Sequence, residues 1–188
     1  MIGLHNKYKD DYDHSPGLDK RGKFKDHFYY IGDLYVLPFD EKNKKKTYLP
    51  CIGFMVAALA VLILQGMLNQ PSSRTIWVVM PYIFQFLPVL FFGVGIVEYA
   101  TCPIRMQREQ YDKGVQRMHH CAIGFLVLSV ISGIADVVFM AGQLSGYEQG
   151  KGREFIYFAL HFASVAIALL FARYYNRTFA KITVEKNH

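Results

Sequence analysis

Charge is missing from this sequence over distances that a soluble domain rarely leaves bare. No Asp, Glu, Lys or Arg occurs between Lys46 and Arg74, between Arg74 and Glu98, or between Glu154 and Arg173, and the stretch from Arg117 to Glu148 carries only Asp136. Cysteine is scarce too. Cys51, Cys102 and Cys121 show no C-x-x-C spacing, and their odd number argues against a disulfide framework. The chain lacks a nucleophile elbow, a phosphate loop, an H-E-x-x-H helix and any evident pair of carboxylates, so no motif supports catalysis and no cofactor is expected. A calcium loop begun by Asp11 and Asp13 fails, because Pro16 stands at the glycine position and Gly22 at the bidentate glutamate position.

What the chain has in place of charge is apolar length, with 52% apolar and 19% charged residues among 188. A helix rises about 1.5 Å per residue, so roughly 20 apolar residues cross a hydrocarbon layer about 30 Å thick. Four segments qualify, at about 48–68, 76–97, 121–141 and 155–172. Backbone polar groups in lipid must be satisfied within each segment, so these runs are expected to be helices. The first starts too late and runs too long for a cleaved signal peptide. The expected fold is an all-α integral membrane protein: a four-transmembrane-helix bundle over residues 48–175, a partly disordered leader over 1–47 and a tail over 176–188.

Basic residues set the orientation. Residues 1–47 hold ten Lys and Arg, the link between the second and third spans holds four, and the tail region holds four. The remaining links hold only Arg74, Lys151 and Arg153, a bias that puts both termini on the cytoplasmic side. Asn176-Arg177-Thr178 would then be an unused glycosylation sequon. The net charge of +6 has its source in this topology, and no nucleic-acid partner is expected.

Within the leader, aromatic runs flank Gly32-Asp33, which suits a short hairpin over about 27–37. Lys42, Lys44, Lys45 and Lys46 follow as a cluster expected to meet anionic lipid headgroups, each worth about 1 kcal/mol. The run Tyr29-Tyr30-Ile31-Gly32-Asp33-Leu34-Tyr35, then Leu37-Pro38-Phe39-Asp40, lysines and four spans resembles small uncharacterised four-span membrane proteins of Gram-positive bacteria. That resemblance implies a bacterial plasma membrane and supplies no activity.

Asp136 is costly inside a span, at about 2.5–3.5 kcal/mol or more, and should face the bundle. Ser129, Ser132, Gly133 and Asp136 share one helical face, and His161 lies at a comparable depth in the fourth span. The two are expected to meet, as a proton-responsive pair or as a structural hydrogen bond, with Gln85 and Ser164 extending the polar face. Pro81, Gln85 and Pro88 line one face of the second span, and Cys51, Ala58 and Gln65 one face of the first. His119, His120 and Cys121 are weak candidates for a soft-metal site. The leading expectation is a non-enzymatic accessory or assembly subunit that works with a membrane partner or as a homo-oligomer. The alternatives are a small proton-linked transporter or channel using Asp136 and His161, and a metal-dependent membrane enzyme.

Overall fold

The protein is described by a computed structural model covering residues 7–18, 24–142, 146 and 149–186. Four helical stretches are long and apolar enough to cross a membrane: Glu41–Met67, Ile76–Thr101, Arg108–Gly142 and Lys151–Phe179. Only 17% to 33% of their apolar windows is buried inside the protein, which leaves large side chains such as Leu90 and Val97 on the outer surface. Water would not tolerate that much exposed apolar area, whereas lipid does.

In chain order, β1 (Tyr12–Leu18) and β2 (Phe24–Tyr30) precede β3 (Leu34–Val36) and α1 (Glu41–Met67). A 3-10 turn (Pro71–Arg74) leads to α2 (Ile76–Phe84) and α3 (Phe86–Thr101), which together form the second span. Next come β4 (Arg105–Gln107), α4 (Arg108–Tyr111), a π-helical turn (Asp112–Gln116) and α5 (Arg117–Gly142). α6 (Lys151–Phe179) and β5 (Thr183–Glu185) complete the described chain. Each span packs on two others, with α1 against α3 and α6, and α5 against the α2–α3 span and α6. The second span breaks at Gln85. Pro88 lacks the N–H that would bond the Phe84 carbonyl, and its ring crowds that carbonyl.

The α5–α6 seam follows a spacing of three and four. Its buried positions are Ala122, Phe125, Ser129, Ser132, Asp136 and Phe139 on α5, and Glu154, Tyr157, His161, Ser164, Ala168 and Phe171 on α6. This period keeps one stripe of each helix against its neighbour, and the small residues let the backbones approach. α3 and the π turn come closest at Gly95 and Gly114. A Cβ on Gly114 would lie 3.1 Å from the Tyr99 backbone nitrogen.

Two small sheets correct the all-α expectation. β1 and β2 form an antiparallel pair from Tyr12↔Tyr30 to Leu18↔Phe24. β3 is the centre of a second sheet, in which Tyr35 opposes Met106 of β4 and Val184 of β5. The aromatic run expected as one hairpin over 27–37 is therefore divided between two sheets. The Gly32-Asp33 corner does not join paired strands, because the backbone N–H groups of Ile31 and Gly32 donate to the Asp11 carbonyl at 2.9 and 3.2 Å. The expectation of a mobile leader at 1–6 and 19–23 lies outside the described residues, whereas residues 7–18 are ordered by cross-chain contacts. Tyr12 Oη donates to Gln107 Oε1 at 2.9 Å, and Lys7 pairs with Asp112 at 2.6 Å. Asp13 accepts from the Tyr29 hydroxyl at 2.9 Å and from the His14 N–H, and both bonds hold its carboxyl below the usual range.

The second sheet joins the segment before the first span, the link between the second and third, and the tail. All three therefore lie at one end of the bundle. Beneath it, Leu37, Tyr99, Met106, Met118, Phe171 and Phe179 form a single apolar cluster that binds sheet to helices. Lys44 is built into this end as well. Lys42, Lys45 and Lys46 are exposed, but Lys44 is buried, donates from Nζ to the Ala100 and Cys102 carbonyls, and sits 5.4 Å from the centre of the Tyr99 ring. It caps the C-terminal end of α3, where a cation opposes the helix dipole. Its expected headgroup role is corrected accordingly. Replacing it by Met keeps the stem and removes the cap, so Lys44→Met should lower stability by about 1.5–3 kcal/mol in detergent unfolding, while Lys45→Met stays within about 0.5 kcal/mol. Equal effects of the two substitutions would contradict the capping role.

Candidate functional site

Polar side chains collect at the bundle end opposite the second sheet. Asp136, Glu154, Ser132, Ser164, Gln65 and Gln85 have no exposed surface, and His161 has 2%. They come from different helices, and the periodicity described above turns each inward. Gln85 is presented by the break between α2 and α3, and its Oε1 accepts from Ser129 Oγ at 3.1 Å. The single Ser129 hydroxyl hydrogen is shared between that oxygen and the Phe125 carbonyl, 2.7 Å from Oγ, and Ser164 donates to the Leu160 carbonyl at 3.2 Å.

Asp136 does not pair with His161. Its carboxyl faces that of Glu154 within reach of a shared hydrogen. His161 lies two turns beyond Glu154 along α6, across from Gly133, and its Nδ1 is 3.3 Å from Gln65 Nε2. The expected partners are thus separated by the antiparallel stagger of α5 and α6, which sets Asp136 against the first turns of α6. Glu154 is the residue that sequence reasoning missed. It was taken as the boundary of the fourth span, although its spacing from Tyr157, His161 and Ser164 places it on the same face.

The two carboxyls create a strict requirement. Glu154 Oε2 accepts the Ser72 backbone N–H at 3.1 Å, which ties α6 to the 3-10 turn. Both Asp136 oxygens and Glu154 Oε1 are buried and have no donor among the described residues. The ion pairs among the described residues all involve other acids. Two ionised carboxylates can only accept, so face to face they satisfy each other only when one carries a hydrogen. The alternative is a pair of uncompensated charges among apolar side chains. Tyr157 packs beside the pair, with its ring 4.6 Å from the His161 imidazole, edge to face. Gly150 starts α6 with φ 94°, a left-handed conformation, and a Cβ there would come within 3.1 Å of Pro71. Asp136 lies six residues, or roughly 9 Å, from the end of α5 at Gly142, and Glu154 three residues, or roughly 4.5 Å, from the start of α6 at Lys151.

The weak metal candidates do not assemble. His119 stacks on Tyr175 at 4.3 Å, His120 is exposed, and among the described residues no three His, Cys, Asp or Glu side chains gather as a ligand set. Cys102 is buried near Cys51 in the sheet-end cluster, and that burial pushes its thiol up. The chain matches no family model, and no curated protein or solved structure matches it.

The shared hydrogen makes a direct prediction. Asp136→Asn supplies a permanent donor to Glu154 and should leave stability within about 1 kcal/mol of the parent, whereas Asp136→Leu strands the Glu154 carboxyl and should cost about 1–3 kcal/mol. Thermal unfolding of both variants near neutral pH would show it. Equal losses would mean that no hydrogen bridges the pair.

Proposed function

We propose that this protein is a small proton-linked transporter or channel of the plasma membrane, in which the Asp136–Glu154 pair takes up and releases a proton during the functional cycle. The observation that carries this reading is the burial of two facing carboxyls with no cationic partner among the described residues. A purely structural contact between helices is satisfied by neutral amides or hydroxyls, which cost less to bury than acids. Among the described residues the polar groups around the pair are Ser72 on the 3-10 turn, Ser132 on α5 and Tyr157 on α6, with His161 two turns further along α6 and Gln65 beside it. None of these described groups brings a fixed charge, which leaves a proton as the counter-ion this reading calls for.

Orientation supports a route for that proton. The excess of Lys and Arg at the sheet end supports a cytoplasmic location for that end and for both described chain ends. The carboxyl pair then lies within about two turns of the outer helix ends. Lys42, Lys45 and Lys46 remain exposed at the cytoplasmic boundary and meet anionic headgroups there. With the three native cysteines replaced, Ser73→Cys should react with an impermeant maleimide in intact cells, and Glu185→Cys only after permeabilisation. The reverse pattern would invert the assignment.

A non-enzymatic accessory or assembly role is the second reading. Phe28, Tyr29 and Ile31 are exposed beside the β1–β2 pair, a surface that suits a membrane partner or another copy of the chain. The two readings separate in liposomes holding a pH-sensitive dye. Parent protein should dissipate an imposed proton gradient, and Asp136→Asn should slow it at least tenfold while remaining folded. A parent no faster than empty liposomes removes the proton-linked reading and leaves the accessory one.

A further inference from the structure

The helical stretch Arg108–Gly142 has two unlike faces where it enters the bundle. Gly114, Val115 and Met118 are buried, and Gly114 backs onto α3 so closely that a Cβ would meet the Tyr99 backbone. That contact fixes the rotation of the stretch. Its other face, carrying Lys113, Gln116, Arg117 and His120, lines a groove of about 520 Å³. Lys7 and Tyr8 of the leader close the groove on one side, and Pro88 and Cys121 stand at its deeper end.

Charge in this groove is one-sided, with Lys7, Lys113 and Arg117 set against a single acid, Asp112. Lys7 pairs with Asp112 and Lys113 with Glu109, whereas Arg117 has no ion pair among the described residues. Its guanidinium is a planar fork of N–H donors that matches two oxygens of a phosphate. Arg117 is also the last charge before the apolar run of α5, the next being Asp136, which sets it at the depth of lipid headgroups. Below it the same face turns apolar. Gln116, His120, Ile123 and Val127 are spaced by four, three and four, and Ile123 and Val127 are exposed. A cationic mouth above an exposed apolar strip complements an anionic head on a hydrocarbon chain.

We propose that this groove is a binding site for one anionic phospholipid, its phosphate held by Arg117 with Lys113 and Lys7 beside it, and an acyl chain lying along Ile123 and Val127. A free phosphate would use the charges and leave the apolar strip uncovered, so the strip selects the lipid. The site is at the sheet end, away from the carboxyl pair, and its test reads binding rather than proton movement.

The test uses the full chain in detergent, titrated with dioleoyl phosphatidylglycerol or dioleoyl phosphatidylcholine and read by native mass spectrometry. Phosphatidylglycerol should saturate at one per chain, about fivefold or more tighter than the zwitterionic lipid with the same acyl chains. Arg117→Gln should weaken phosphatidylglycerol binding about tenfold, as expected for loss of a charge-assisted contact, while Lys45→Met, which removes an exposed charge elsewhere, should leave it within about twofold. Inorganic phosphate in about a hundredfold excess should not displace the lipid. If Arg117→Gln fails to fold, Gln116→Glu, which places a carboxylate in the same groove, should weaken binding likewise. Equal affinity for the two lipids, or no saturable binding of either, would overturn the proposal. So would equal losses in Arg117→Gln and Lys45→Met, which would mean attraction to net charge alone, or displacement by phosphate, which would mean a small-anion site.

Discussion

Hydrocarbon offers no hydrogen-bond partner, and every part of this protein answers to that fact. The backbone of the four spans closes its own bonds as helix, and the single interruption, at Gln85, is placed where a buried side chain and a proline-bounded turn lie inside the bundle rather than against lipid. The same constraint sorts the side chains. Leu, Val, Ile and Phe face outward in numbers that would aggregate a soluble protein, while Gln, Ser, His, Asp and Glu turn inward to find one another. The inside-out polarity of the bundle is thus a consequence of its solvent.

Packing and chemistry meet in the α5–α6 seam. A three-and-four spacing runs through both helices, so the positions that hold apolar side chains near the second sheet hold polar ones near the other end. Nothing in the helix geometry changes between the two halves; only the residue types do. The sheet end is therefore a conventional apolar core, closed by Lys44 on the last carbonyls of α3, and the far end buries two neighbouring acids. An apolar half that holds a polar half in place is a division of labour that the proposed proton-linked role would use.

Much of the bundle could be read from run lengths alone. The expected spans fall within the observed helices, and the inward faces assigned to Cys51, Ala58 and Gln65, and to Ser129, Ser132 and Asp136, are buried. The helices extend beyond the expected limits, as at Glu41 and Phe179, because helical backbone continues past the apolar run as long as capping and local contacts support it. The sheets were not legible. Strands of three residues such as Leu34–Val36 carry too little periodicity to declare a partner, and their partners lie far away in the chain, at Arg105–Gln107 and Thr183–Glu185.

The site shows the same boundary most clearly. Hydropathy and helical period determined, without any structure, that Asp136 and His161 lie in spans, face inward and sit at similar depths, because those properties depend on residues within one helix. Which acid or imidazole meets Asp136 depends on the axial stagger of two helices joined through a link that imposes no register of its own. His161 and Glu154 lie seven residues apart on α6, so a shift of two turns, about 10.5 Å, separates the two alternatives. Only the packed tertiary structure decided that register, since the seam of small and large side chains locks into one alignment, and with it the difference between an acid–imidazole pair and two carboxyls.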